Sequence, residues 1–193
     1  MIDCDIAIAG GGAAGHAAAI AAARATEGRR RVLLLERSER VGRKLLATGG
    51  GTCNLTNLHV SVDRFHGAEP AFTAPVLTTW PAAAVMAFFD EIGIPCLAEP
   101  DGRVYPCGAQ ASAVQDALRL EAQRRGVVTM CGFDVGAVRV RDPILLEDTP
   151  LYAQRPFELT ASDGRLVRSS QLIVATGGPA APQLGGCDAG HRL

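Results

Sequence analysis

The sequence carries almost no net charge and contains no long apolar run, and both absences exclude classes of protein. Its 19 basic and 20 acidic side chains give a formal net charge of -1, so neither a nucleic-acid footprint nor a membrane-surface patch is expected. The longest apolar helical run, residues 17–23, is far too short to cross a bilayer. We therefore expect no nucleic acid and no membrane among the partners of this chain.

Cysteine is present, but it lacks the spacing of a metal site. The six cysteines form no C-x-x-C pair, and no histidine stands beside them at the spacing of a metal ligand. No metal site is therefore predicted. The N-terminus also lacks the basic start and apolar stretch of a signal peptide, which favours a cytoplasmic protein with reduced thiols.

A glycine motif between two apolar runs is the most informative stretch of the sequence. Residues 6–9 predict a buried strand, the glycine-rich residues 10–15 follow at once, and residues 13–25 predict an alanine-rich helix. Residues 32–35 then predict a second strand, which ends on Glu36. Strand, glycine motif, helix, strand and acid, in that order, form the first unit of a dinucleotide-binding fold.

Each residue type in this unit has a physical role at a dinucleotide. Gly10 allows a sharp turn off the strand, Gly12 allows the backbone to approach a pyrophosphate, and Gly15 allows the helix to pack on the strand. The helix start offers free N–H groups and a positive dipole end to phosphates. Glu36 is placed to accept hydrogen bonds from ribose hydroxyls. Its negative charge would repel a 2′-phosphate, which favours FAD or NAD over NADP. His16, in the first helical turn, is placed where it could approach a phosphate, but we interpret it as an ordinary partly buried helix residue.

A second polar segment follows this unit. Residues 48–57 combine three consecutive glycines with hydroxyl and amide side chains, and Arg43 and Lys44 precede them. A flexible backbone with many small donors suits a segment that wraps a polar ligand. The segment is close to the cysteine motif of flavin disulfide reductases, but Leu58 stands where that motif needs a second cysteine. We therefore expect Cys53 to pack beside a ligand rather than to form a redox disulfide.

The rest of the chain predicts further helices and strands. Helical periodicity runs from Thr79, as a candidate cap, to Gly93, and again over residues 109–125. The last apolar strand delivers residues 176–178 to its carboxyl end, where ligands of open α/β sheets bind. We predict an α/β, Rossmann-like fold with a parallel sheet and added hairpins or a meander. The further predicted strands cover residues 96–99, 103–105, 127–131, 135–140, 157–160, 166–167 and 172–175.

Several segments resemble the bile-acid-reductase-like (BaiN-type) NAD(P)/FAD-dependent flavoproteins, a family that includes aminoacetone-oxidase-like proteins. They are the glycine motif with Glu36, residues 42–57, residues 99–106 and residues 175–178. One departure is Thr52, where the family usually has an arginine. The resemblance implies a Rossmann-like FAD-binding domain over residues 1–193.

The resemblance also implies a cofactor and a reaction. It implies non-covalent FAD, hydride transfer through the isoalloxazine, NAD(P)H as electron donor and a small-molecule substrate. Val135 is assigned to the adenine through its backbone, and no side chain is assigned as a catalytic acid or base. The residues expected to bind the cofactor are Gly10, Gly12, Ala13, Ala14, Gly15, Glu36, Arg37, Arg43, Lys44, Thr52, Cys53, Asn54, Val135, Ala175, Thr176 and Gly177.

Two other functions remain open from the residues. An NAD-dependent dehydrogenase explains the first unit but not residues 42–57, and a bound yellow chromophore would separate it from a flavoprotein. Ala189 and His191 depart from the family pattern. A non-catalytic binding module is the second alternative, supported by Ala189 and by the missing C-terminal portion of the family. Family members continue through an inserted domain, so the chain resembles an N-terminal part that is incomplete relative to the family. We expect it to bind FAD weakly and to show no substantial turnover alone.

Overall fold

The computed structural model describes residues 1–66, 70–141, 154–180, 182–184 and 190. Ala189 and His191 lie outside this described part. The chain divides into two compact units, of which the first comprises Met1–Lys44 with Leu118–Leu193 and the second comprises Leu45–Ala117. Each unit contains its own sheet.

The described residues form strands and helices that alternate along much of the chain. In order they are β1 (Ile2–Ala9), α1 (Ala13–Ala25), β2 (Val32–Leu35), α2 (Arg43–Leu46), β3 (Thr56–Asn57), α3 (Ala74–Thr79), α4 (Ala82–Glu91), β4 (Cys96–Ala98), β5 (Arg103–Pro106), α5 (Ala111–Arg124), β6 (Val128–Met130), β7 (Val135–Val140), β8 (Phe157–Ala161) and β9 (Leu166–Val174).

The first unit is built on a six-stranded sheet with the strand order β6-β2-β1-β9-β8-β7. β1 pairs in parallel with β2 on one side and β9 on the other, and β6 continues the parallel part beyond β2. β8 and β7 extend the sheet as antiparallel strands. All four residues of β2 are buried, as expected of a parallel strand covered on both faces. The predicted α/β fold with a parallel sheet and a meander is confirmed.

α1 lies unusually close to the strands beneath it. A Cβ added at Gly15 would overlap the Gly10 carbonyl oxygen and approach the Leu34 side chain at 3.3 Å. The other buried residues of α1 are the apolar Ala19, Ile20 and Ala23 and one polar residue, His16. A glycine at this crossing is therefore required by packing, as the sequence predicted. The predicted bounds of α1 are also confirmed.

β9 corrects one prediction from the sequence. Residues 166–167 and 172–175 were expected to form separate strands, but Leu166–Val174 is one strand of nine residues. It pairs with β1 along one edge and with β8 along the other. Polar residues in its middle are therefore held by the sheet on both sides, and Ser169 opposite Cys4 is fully buried.

A buried carboxylate ties α1 to the second half of α5 within the first unit. Glu121 pairs with Arg24 of α1 at 3.3 Å and with Arg124 and Arg125 of its own helix at 2.7 Å each. The Glu121 side chain is only 8% exposed. Hydrogen bonding from Arg124 lowers the pKa of Glu121 to about 2, against the opposing effect of burial. The carboxylate is therefore ionised across the neutral pH range.

The second unit contains the three-stranded antiparallel sheet β3-β5-β4 and the helices α3 and α4. The predicted hairpin is confirmed as β4 and β5, which turn at Gly102 with φ +82°. The predicted helix start at Thr79 is wrong, because Thr79 ends α3 and its hydroxyl donates to the Pro75 carbonyl at 2.9 Å. α4 begins after Pro81, which disfavours helical geometry at the residue before it.

No single helix among the described residues is both long and apolar enough to cross a membrane. The two consecutive helical segments Ala71–Thr79 and Ala82–Glu91 reach the required length and composition only together, with a bend of 45° between them.

Candidate dinucleotide-binding site

The loop between β1 and α1 begins where the chain passes the end of β9. Gly10 has φ +114°, and a Cβ there would collide with the Ala175 carbonyl and lie 3.0 Å from the Thr176 Cα. The Ala175 N–H donates to the Ala9 carbonyl at 2.8 Å, which fixes this approach. Two segments far apart in sequence, both predicted to bind the cofactor, are therefore adjacent at the carboxyl end of the sheet.

Gly12 caps α1 and faces open space. Its φ of -81° and ψ of -168° suit any residue, no side chain caps this end of the helix, and an added Cβ would meet no atom within 4 Å. The residues that follow, Ala13 and Ala14, are exposed. The fold itself therefore does not require glycine at position 12. An exposed first turn with free N–H groups and a positive dipole end fits a pyrophosphate.

Glu36 holds the glycine loop from the neighbouring strand end. Its Oε2 accepts the Gly11 N–H at 2.8 Å, and its Oε1 accepts the Ser38 N–H at 2.8 Å. Its backbone N–H donates to Met130 and its carbonyl accepts from Phe133, at 2.9 Å each. The carboxylate was predicted as a ribose acceptor, and each oxygen keeps a second lone pair for that role. The structure adds that the same carboxylate holds the backbone of the glycine loop at Gly11.

Two residues that contact this loop, and a third that contacts Ser38 after β2, were not assigned to the site from the sequence. The Gly42 N–H donates to the Gly11 carbonyl at 2.9 Å, and the Gly132 N–H donates to the Ser38 carbonyl at 2.9 Å. Val41 is buried beside Gly11. The bonds of Gly42 and Gly132 use backbone groups, so the glycines themselves were the only sequence signal available for these two residues.

The basic residues assigned to the cofactor lie on the surface of the first unit. Arg37, Arg43 and Lys44 are exposed. The Lys44 ammonium donates to the Ala180 carbonyl at 2.9 Å, so it contacts the segment that follows β9. Val135 begins β7 opposite Ala161, at an irregularity in the pairing of the two strands.

The predicted residues Thr52, Cys53 and Asn54 lie in the second unit, in a tightly bonded loop. The Thr52 hydroxyl donates to the Gly49 carbonyl at 2.6 Å, and the Asn54 amide donates to the Val104 carbonyl at 3.3 Å. Cys53 is a buried free thiol with φ +61°, an uncommon conformation for a residue other than glycine. Such strain is found most often at functional sites.

The part of the chain that the structure describes contains no candidate metal-binding cluster. No group of three or more histidine, cysteine, aspartate or glutamate side chains is gathered there in a way that would hold an ion. The described cysteines 4, 53, 96, 107 and 131 are free thiols.

Comparisons with known proteins agree with the fold described above. The family model described as the HI0933-like protein Rossmann domain matches residues 4–193. A 3-dehydro-bile acid delta(4,6)-reductase of Clostridium scindens is 35% identical over 188 residues, which are 97% of this chain and 42% of that protein. A ribosomal RNA dihydrouridine synthase of Escherichia coli is 30% identical over 189 residues, 98% of this chain and 43% of that protein. The chain therefore spans less than half the length of these relatives.

Solved structures show the same fold at low sequence identity. A 3-ketosteroid-delta4-(5alpha)-dehydrogenase of Rhodococcus jostii superposes with a TM-score of 0.62 and 18% identity, over 93% of this chain and 47% of that chain. A quinol fumarate reductase of Escherichia coli gives a TM-score of 0.63 and 21% identity, over 92% of this chain and 33% of that chain. The first unit has the Rossmann-type fold of FAD-binding domains, and the predicted family resemblance is confirmed.

Proposed function

We propose that this chain, which belongs to the HI0933-like family through its Rossmann domain, is the FAD-binding part of a flavin-dependent oxidoreductase. The observation that carries the proposal is the open space in front of Gly12, where a glycine is not needed for folding but gives a ligand access to the start of α1. Glu36 at the neighbouring strand end supplies the second feature that a dinucleotide requires.

Each part of the site takes a separate role in this proposal. The N–H groups of Ala13 and Ala14 bind the pyrophosphate, because they lie exposed in the first turn of α1. Glu36 holds Gly11 in place and accepts a ribose hydroxyl on its remaining lone pairs. Ala175 borders the phosphate loop from the far side. The bound flavin supplies hydride transfer, and the chain supplies its placement.

The substrate class and electron donor are proposed from the reaction that the relatives' names share. The names delta(4,6)-reductase and ribosomal RNA dihydrouridine synthase both describe the addition of hydrogen to a double bond. We therefore propose reduction of a carbon–carbon double bond in a small cyclic molecule, with NADH or NADPH as donor. The formal net charge of -1 gives this part of the protein no excess of positive charge for binding RNA.

The experiment is to incubate the purified chain with FAD, remove the excess, denature the protein in acid and record the spectrum of the supernatant. A flavin spectrum in the supernatant is expected, because no covalent anchor is proposed. A nicotinamide spectrum from the purified chain would favour the dehydrogenase alternative, and colour retained in the precipitate would contradict non-covalent binding. Anaerobic addition of NADH and of NADPH to the FAD-loaded chain then tests the donor in a single reduction of the flavin, which is read as bleaching of its absorbance and needs no turnover.

A further inference from the structure

His16 makes an unusual buried contact beside the proposed phosphate site. The residue is 2% exposed, and its Nδ1 lies 3.0 Å from the Gly12 carbonyl oxygen. Because a carbonyl oxygen can only accept, Nδ1 carries the proton and donates. The other ring nitrogen, Nε2, then presents a lone pair. It is buried and has no hydrogen-bond partner among the residues that the structure describes.

Packing alone does not account for a histidine at this position. The other buried side chains on the same helix face, such as Ala19 and Ile20, are apolar. An apolar side chain would fill the space without leaving an acceptor unsatisfied, which costs free energy. The contact with Gly12 is therefore the feature that explains the imidazole, and Gly12 is the residue at which a ligand reaches α1.

We propose that His16 is a positioning residue for the dinucleotide pyrophosphate, acting through the peptide group that joins Gly12 to Ala13. The carbonyl of this peptide accepts two hydrogen bonds, one from the His16 backbone N–H at 3.0 Å and one from the imidazole. The N–H of the same peptide belongs to Ala13 and lies in the first turn of α1. Two donors on the carbonyl polarise that N–H and fix its direction, which makes it a stronger phosphate donor. This inference rests on the proposed function.

The same geometry couples the protonation of His16 to ligand binding. Burial lowers the pKa of His16, against the opposing effect of its bond to the Gly12 carbonyl. The charged groups around it have opposite signs, since Glu36 at the end of β2 raises the pKa and Arg119 on α5 lowers it. A pyrophosphate at the start of α1 adds negative charge beside the ring and favours its protonated form. By linkage, affinity for the pyrophosphate then rises as the pH falls.

Two variants separate the hydrogen bond from the titration. His16→Asn places an amide donor near the position of Nδ1 but cannot take up a proton, and His16→Leu removes the donor while keeping an apolar side chain of similar size. The ligand is ADP-ribose, whose two phosphates stay fully charged at neutral pH, and adenosine is the control without phosphate. Calorimetric titrations run from about pH 4.5 to about pH 7.5, because burial places the pKa of His16 below its ordinary value.

The expected result is that wild-type affinity for ADP-ribose rises as the pH falls, whereas His16→Asn shows no such rise. His16→Leu should bind ADP-ribose about two- to tenfold more weakly at high pH, with adenosine binding unchanged. The inference is overturned if the pH dependence survives in His16→Asn, or if His16→Leu folds and binds ADP-ribose as tightly as the wild type. Absence of ADP-ribose binding by the wild type would instead refute the proposed function itself. Thermal unfolding checks each variant, and His16→Asn alone decides the matter if His16→Leu does not fold.

Discussion

Substitution of Gly12 tests whether glycine is needed at this position for ligand binding or for folding. The backbone of Gly12 has φ -81°, and a Cβ there would meet nothing within 4 Å. Replacing glycine by alanine stabilises by about 0.4–1 kcal/mol through the unfolded chain, while alanine is a poorer helix cap by a similar amount. The two effects nearly cancel, so Gly12→Ala should change the free energy of unfolding by less than about 1 kcal/mol.

Binding should respond very differently. The new methyl group would occupy the approach to the first turn of α1, so the pyrophosphate loses close contact with its N–H donors. The loss of one charged hydrogen bond, worth about 1.5–3 kcal/mol, weakens affinity about ten- to a hundredfold. Urea denaturation of the ligand-free chain measures stability, and titration with FAD followed by flavin fluorescence measures binding.

Gly15→Ala is the matched control, because the same substitution three residues further along the chain should reduce the stability of the fold itself. Its Cβ would overlap the Gly10 carbonyl and press on Leu34 at 3.3 Å, so the free energy of unfolding should fall by about 1–3 kcal/mol or more. If Gly12→Ala bound FAD like the wild type, or Gly15→Ala were equally stable, the geometric argument for this loop would fail.

Three further predictions concern polar groups of the first unit, of which Glu36 is half-buried and Glu121 and Ser169 are buried. Glu36→Gln should lower the free energy of unfolding of the ligand-free chain by about 1–2 kcal/mol, because one backbone N–H loses its charged acceptor. Urea denaturation should show no change in this free energy for the exposed control Glu39→Gln. Equal denaturation curves for the two variants would contradict a stabilising role of the Glu36 carboxylate. The pKa of Glu121 lies at about 2 in the folded chain against an ordinary value of 4.5, so its contribution, at most about 3 kcal/mol, is present above about pH 4.5 and is lost as the pH falls toward 2. Denaturation at a series of pH values should show this fall in the wild type and a flatter profile in Glu121→Gln, and parallel profiles would refute it. Ser169→Ala should leave the free energy of unfolding unchanged or raise it, because the buried hydroxyl has no hydrogen-bond partner among the described residues. Ser170→Ala should lower the free energy of unfolding by about 1 kcal/mol, because its hydroxyl loses the 2.7 Å bond to the Gln154 carbonyl. Thermal unfolding that ranks the two variants the other way would contradict this assignment.

The sequence predicted the elements whose pattern is local and strong. α1 is bounded by a glycine cap at one end and by Glu27 and Gly28 with positive φ at the other, so its limits follow from nearby residues. β9 was divided in two because the polar residues 168–171 interrupt its apolar pattern. Only pairing with β1 and β8, which are distant in sequence, keeps those residues in one strand.

In the candidate site, too, features set by neighbouring residues were predicted and contacts between distant residues were not. The spacing from Gly15 to Glu36 predicted that an acid would stand at the neighbouring strand end. Its bonds to the N–H groups of Gly11 and Ser38 could not be predicted, because backbone donors have no signature in sequence. His16 was interpreted as an ordinary helix residue, since neither its burial nor its bond to Gly12 is encoded in a motif.

The most direct test of the account is the response of individual backbone amides to FAD, measured by NMR on the ¹⁵N-labelled chain. Weak binding is no obstacle, because shift changes report even a small bound fraction. The account predicts that the largest changes fall on the first-turn amides of Ala13 and Ala14, with further changes at Gly11 and Thr176. Saturable changes confined to other residues, with Ala13 and Ala14 unmoved, would contradict binding of a dinucleotide at the start of α1.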